Sequence, residues 1–230
     1  MNPLPAPSPA PFKAPEPGQP PATLAEVFAP TPGDGAATGF ALAHLRPGAR
    51  VLWVQDRASR REGGRPHAPG LRVDLLHLEV SRARDALWAM EQALGCDGLS
   101  AVIGEVWGDP AALDFTATKR LALRAEAGQV QAWLLRGTAA PDLSAARERW
   151  RVSSLCSNDW DRPCWRVTLF RSRSRAPAEW IASHDGGRLV LDRPMPVAAP
   201  RGDAPPAEEG RATAEIGSAG LAARRARSAA

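Results

Sequence analysis

The spacing of apolar and polar positions changes several times along this chain, and each change marks an element. The run "TLAEVF" (residues 23–28) is short and apolar, and it breaks off in "PTPGDGAATG" (30–39), a proline- and glycine-rich turn leading into an Ala- and Leu-rich helix. "RVLWVQ" (50–55) and "LLHLEV" (75–80) read as strands. "RARDALWAMEQALG" places Ala83, Leu87, Met90 and Leu94 at three- and four-residue spacing, the signature of a helix with one buried face. "LSAVIGEVW" (99–107) is almost continuously apolar and suits the interior of a parallel sheet. "DFTATKRLALRAEAG" follows as a helix that Asp114 caps and Gly128 ends, and "VQAWLLRG" (130–137) is the next buried strand. Strands alternating with helices of this length predict βαβ units and an α/β fold with a mostly parallel sheet flanked by helices.

The character changes after Pro141. "ERWRVSSL", "CWRVTLFRSR", "EWIASHD" and "RLVLD" alternate apolar with polar residues, predicting antiparallel strands at one edge of the sheet, the last two forming a hairpin about "HDGGR". At the ends the pattern disappears. Residues 1–22 hold nine prolines and almost no apolar bulk, and residues 198–230 are small and polar with Ile216 and Leu221 as the only large aliphatics. Neither segment can bury enough surface to offset the entropy of ordering. The expected organisation is a disordered leader (1–22), one α/β domain (23–197) and a disordered tail (198–230). No apolar run approaches the roughly 20 residues of a membrane span, and the N-terminus lacks the charge and apolar centre of a signal peptide. Cys96, Cys156 and Cys164 follow no ligand spacing, and their odd number argues against a disulfide framework. A soluble, cytoplasmic protein with no membrane contact is expected.

Charge narrows the chemistry. Of 29 basic residues only Lys13 and Lys119 are lysine, one in the proline-rich leader and one inside a predicted helix. A glycine turn between strand and helix is the usual place to hold a phosphate, but a nucleotide-binding loop needs a lysine on the phosphates. Gly33, Gly35 and Thr38 are therefore candidates for a degenerate phosphate loop, with Glu105, the acid ending a buried strand, as the residue placed to hold magnesium through water. Losing that lysine removes charge-assisted hydrogen bonds of about 1.5–3 kcal/mol each, which weakens nucleotide binding at least tenfold to hundredfold. His44, His67, His77 and His184 show no ligand spacing, and no nucleophile elbow is present. No catalytic residue, metal or cofactor is expected.

The arginines offer two surfaces. Between residues 144 and 180, eight arginines stand against four acids, interleaved with Trp150, Trp160, Trp165 and Trp180. Arginine with exposed aromatics tracks and stacks nucleic acid; the alternation in "RWRV" and "CWRVTLFRSR" equally fits tryptophans turned inward and arginines turned to water. Arg171, Arg173 and Arg175, in the loop "RSRSRA", are the first DNA-contact candidates. Arg57, Arg60, Arg61 and Arg65, in a glycine-containing segment read as a mobile loop, are the second. In the tail, "EIGSAGLAARRARS" offers Ile216 and Leu221 as anchors and Arg224 and Arg225 as an electrostatic aid for docking on a partner.

The order of segments resembles the RecA-like recombinases. In these a glutamate-bearing strand runs into the phosphate loop and helix, a second strand follows, and an amphipathic helix precedes a buried strand ending in an acid. "LAEVFAPTPGDGAATGFALAHL", "VLWVQD" and "GLRVDLLHLEVSRARDALWAMEQALGCDGLSAVIGEV" occupy those places. Within that group the chain resembles ImuA, the RecA-like inducible mutagenesis family. The resemblance rests on "GRPHAPGL", "DALWAMEQAL", "ALDFTATKRLALRAEAG", "QAWLLR" and "RERWRV…PCWRVTLFRSR…AEWI", spanning roughly residues 24–192. It implies a RecA-like core and a non-catalytic adaptor role in SOS mutagenesis and translesion synthesis. The implied partners are an ImuB-type Y-family-like protein, an error-prone DnaE-type polymerase reached indirectly, and RecA or DNA. The loop has Gly35-Ala36-Ala37-Thr38 where the recombinases have Gly-Lys-Thr. The general-base position falls near Gln55 or Asp56, and a glutamine cannot accept a proton as a carboxylate does. ATPase activity is not expected; the alternatives are a stand-alone DNA-binding repair or regulatory protein and a weak nucleotide-dependent switch.

Overall fold

A computed structural model describes residues 22–31, 33–157, 162–185 and 188–195. Its elements, in chain order, are β1 (Leu24–Ala29), α1 (Ala36–Ala43), β2 (Arg50–Asp56), α2 (Arg57–Gly63), a 3-10 turn (Ala68–Gly70), β3 (Asp74–Val80) and α3 (Ala83–Ala93). There follow β4 (Ala101–Trp107), α4 (Phe115–Gly128), β5 (Gln131–Gly137), β6 (Glu148–Leu155), β7 (Cys164–Ser172), β8 (Ala178–Asp185) and β9 (Arg188–Met195). All nine strands join one sheet in the order β3-β2-β4-β5-β1-β6-β7-β8-β9. The predicted α/β class, with a mostly parallel sheet flanked by helices and antiparallel C-terminal strands, is present. The leader, apart from Ala22, lies outside the described residues, as do Trp160 and the tail with Ile216, Leu221, Arg224 and Arg225.

Two corrections concern elements. β6 runs parallel to β1, so β1–β6 form a parallel set and the antiparallel pairings begin only beyond β6, with β7, β8 and β9 alternating in direction. Alternation in "ERWRVSSL" reports one buried face and one open one, and it carries no information on the direction of the neighbouring strand. The segment expected as a mobile basic loop begins instead with helix α2. The Asp56 carboxylate accepts the Ser59 amide at 2.8 Å and so supplies the N-cap.

The sheet is covered on both faces. On one, α1 lays Phe40 among Trp133, Trp150 and Trp165, with the Phe40 and Trp150 ring centroids 5.1 Å apart. On the other, α3 and α4 bury Leu87, Met90, Leu94 and Leu121 against Val102, Leu134 and their neighbours. Asp114 caps α4 as its sequence predicts, accepting the Ala117 amide at 2.7 Å. Gly128 does close α4, though not by adopting the left-handed conformation, which falls to Gln129 (φ 52°). A Cβ at position 128 would run into the Leu94 carbonyl oxygen, so the glycine lets α4 meet the end of α3.

One ionic contact crosses this apolar frame. Glu26 of β1 is fully buried and stands in register with Arg149 of β6, itself 3% exposed. The Arg149 Nε donates to Glu26 Oε2 at 2.6 Å, and the Ser144 hydroxyl donates to Oε1 at 2.7 Å. The guanidinium lies 5.2 Å from the Phe28 ring centroid and 5.3 Å from that of Phe170. Removing one partner of a buried pair leaves a stranded charge, so Glu26→Ala is expected to lower unfolding free energy by about 3–5 kcal/mol in urea titrations. Glu26→Leu combined with Arg149→Met, which strands nothing, is expected to recover most of that loss.

Candidate functional site

The glycine turn sits where a phosphate would be sought, between the C-terminal end of β1, inside the parallel part of the sheet, and the first turn of α1. Asp34 accepts hydrogen bonds from its own chain. Its Oδ1 takes the Ala36 amide at 2.9 Å and the Ser154 hydroxyl at 2.6 Å, and its Oδ2 takes the Ser154 amide at 3.0 Å. Partial burial works to raise this carboxyl; the hydrogen bonds from Ser154 and Ala36 outweigh it and hold the group below its ordinary range. An internal anion thus occupies the amide that opens α1, and an incoming phosphate would meet a negative charge with no lysine to offset it. Gly33 (φ 74°) and Gly35 are exposed in this turn and Thr38 is half-buried one turn into α1.

Sequence reasoning named the residues on both sides of Asp34 and passed over Asp34 itself. An aspartate two residues before a helix is a readable turn signal, its carboxylate accepting the amide two positions on. Its partner Ser154, 120 positions further along the chain, carries no such signal.

Glu105 lies two strands from β1, in the C-terminal half of β4, and its side chain is likewise tied to its own chain. Trp53 Nε1 donates to its Oε2 at 3.2 Å and Gln55 Nε2 donates to the same oxygen at 2.8 Å. Gln55 Nε2 also reaches the Gly64 carbonyl at 2.9 Å, and His77 Nε2 lies 2.8 Å from Gln55 Oε1. Because an amide oxygen only accepts, His77 carries its proton on Nε2 in this contact. Helix α2 covers the carboxylate closely. The Ser59 hydroxyl donates to the Glu105 carbonyl at 2.8 Å, and a Cβ at Gly63 would stand 2.7 Å from Glu105 Oε1. Burial pushes the Glu105 carboxyl up, against the hydrogen bonds from Gln55 and Trp53, while burial and the Arg65 charge push the His77 imidazole down. Burial thus disfavours the charged form of both groups, the Glu105 carboxylate and the His77 imidazolium. Gln55, at the position where the RecA-like resemblance places a general base, works as an amide bridge between the two.

The arginine candidates do not converge. Arg60 and Arg65 both reach Glu79, at 3.6 and 3.0 Å, Arg61 pairs with Glu62 at 3.7 Å, and Arg57 is exposed. This group sits over the β2–β3 side of the sheet. Arg171 and Arg173 are exposed on the far side, beyond β6, and Arg175 donates to Glu148 at 2.6 Å with its guanidinium 5.3 Å from the Trp150 ring centroid. Trp150 and Trp165 are 1% and 5% exposed, so of the two readings of this stretch the inward one holds for them, and Trp180 is half-buried beside Trp150. Burial removes the Trp150 and Trp165 rings from any stacking role.

Among the described residues, no group of three or more His, Cys, Asp and Glu side chains gathers as a metal site, all three cysteines are free, and no helix is long and apolar enough to cross a membrane. No protein-family model matches the chain, and no curated protein matches it.

The raised Glu105 carboxyl sets a pH dependence. A folded-state pKa above the unfolded value favours folding fully at low pH, and that contribution is lost as pH rises through the folded value. Glu105→Gln keeps an acceptor for Trp53 and Gln55 without the buried charge. It is expected to melt above the parent at pH 7–8 by ~2–4 °C, the effect of about 1 kcal/mol in a chain of this size. The advantage should vanish below roughly pH 4, where the parent carboxyl is protonated in both states.

Proposed function

We propose that this protein is a non-catalytic, RecA-like accessory protein of a DNA-damage-induced translesion synthesis complex. It docks an ImuB-type Y-family-like protein and meets an error-prone DnaE-type polymerase only through that partner. One observation carries this reading: at the turn that would hold a nucleotide's phosphate, the amide that opens α1 is already taken by the chain's own Asp34. The order of elements supports the RecA-like part. A glutamate-bearing β1 runs into the glycine turn and α1, β2 follows, and amphipathic α3 leads to β4, which carries Glu105. Around that order the groups that chemistry would need are absent or engaged: there is no lysine at the turn, Gln55 stands near the place of a base, and Glu105 is bonded beneath α2. A scaffold that keeps the recombinase arrangement without a usable nucleotide site suits an adaptor better than a motor or a switch.

Direct DNA contact is the second reading. It is favoured by Arg171 and Arg173, exposed within one short stretch beside Arg175. RecA itself is a further candidate partner in the same complex.

Titration of the full chain against its ImuB-type partner is expected to show binding at about 1 μM or tighter. The affinity should be the same with and without ATP. A chain ending at residue 197 separates the tail from the core as the docking element. Binding that appears only with ATP would overturn the reading. For the DNA reading, Arg171→Ala, Arg173→Ala and Arg175→Ala together are expected to weaken binding of single-stranded DNA and flatten its salt dependence, while leaving partner binding intact.

A further inference from the structure

The two edges of the sheet differ in how they are protected. At one, β9 carries Pro194, which has no amide to offer a neighbour. At the other, β3 reads "DLLHLEV": no proline, no lysine, and no bulge against β2. Leu76 and Leu78 on β3 are 48% and 38% exposed, and His77 and Glu79 are exposed as well. Among the described residues no strand covers this edge.

Backbone direction shows what the open edge presents. The Asp74 amide donates to the Ala49 carbonyl at 2.9 Å, so Asp74 turns its peptide groups toward β2. In a strand that direction alternates, and Leu76, Leu78 and Val80 share it. Leu75, His77 and Glu79 therefore turn their N–H and C=O groups to the open side. His77 is the centre of the seven-residue strand and the centre of this outward set.

We propose that the β3 edge is an interface for a second copy of this chain, two β3 strands pairing antiparallel about a two-fold axis at His77 and merging two nine-stranded sheets into one. In that register His77 exchanges both of its bonds with its mate, and Leu75 exchanges both with Glu79 of the second copy, so every outward group is satisfied. Leu76 stands opposite the second copy's Leu78 in the non-hydrogen-bonded positions, where Cα atoms approach to about 4.5 Å and side chains pack most closely. Both leucines lie on the α3 face, as their in-register neighbour Leu52 packs into the α3 and α4 core. The exposed apolar pair of one copy thus covers that of the other. No like charges face each other, since Glu79 meets Leu75 and Asp74 meets Val80. A slip of one residue would put outward-turned groups opposite inward-turned ones, and the pairing would be lost.

An isologous contact built on one strand is small and belongs with weak interfaces. Sedimentation velocity of the full chain is expected to show a monomer near 1 μM passing to a dimer by roughly 100 μM. Leu76→Lys with Leu78→Lys should stay monomeric throughout, while Trp88→Ser, which removes a 63% exposed side chain on the outer surface of α3, should dimerise as the parent does. Register is read by crosslinking with Cys96, Cys156 and Cys164 replaced by Ser. Under oxidation, a mixture of Leu76→Cys and Leu78→Cys chains should form a disulfide-linked dimer, and either chain alone should not. A parent that remains monomeric at the upper concentration, a dimer that survives the double lysine variant, or crosslinking by Leu76→Cys alone as efficient as by the mixture would each overturn the proposal.

Discussion

The Glu26–Arg149 contact is the constraint on which the arrangement of this molecule depends. It joins neighbouring parallel strands whose side chains are otherwise apolar in the core, and a buried carboxylate tolerates no register that leaves it alone. Ser144, in the crossover that brings the chain from β5 back to β6, completes the carboxylate's hydrogen bonds. Phe28 and Phe170 both lie against the guanidinium, and the Arg136 guanidinium lies 5.5 Å from the Phe28 ring centroid while donating to Asp109 at 2.6 Å. With β6 held beside β1 in this register, Ser154 at its far end arrives next to the glycine turn. The bond that fills the turn with Asp34 is thus set up by an ion pair at the other end of the strand.

Two carboxylates in the upper part of the sheet show how environment divides identical chemistry. Asp34 collects three hydrogen bonds at a helix start and is held as an anion. Glu105, deeper and beneath α2, is pushed toward its protonated form despite bonds from Trp53 and Gln55. Each is engaged by groups of its own chain. The proposed adaptor role rests on that engagement and on the order of the elements.

Much of the fold could be read from periodicity alone. Leu87, Met90 and Leu94 mark the buried stripe of α3, "AVIGEV" announces a strand covered on both faces, and Asp114 marks the start of α4. These signals are local, and local propensity agrees with the final environment. The readings that failed or stayed open were those whose answer lies elsewhere in the chain. The direction of β6 depends on β1 and the buried pair. The helical character of α2 depends on Asp56 and on a place over Glu105. The tryptophans of the arginine-rich stretch could be read inward or outward until α1 was seen to cover them.

The sequence by itself determined the class of fold, the order of its elements, the absence of a lysine at the glycine turn and the places where apolar stripes must be buried, because these follow from spacing over a few residues. Only the tertiary structure decided that Asp34 meets Ser154, that Glu105 lies under Gly63 with Gln55 and His77 beside it, and that β3 is left as an open edge with Leu76 and Leu78 uncovered. Those relations join residues far apart in the chain, and strand order and register bring them together only when the whole sheet is assembled.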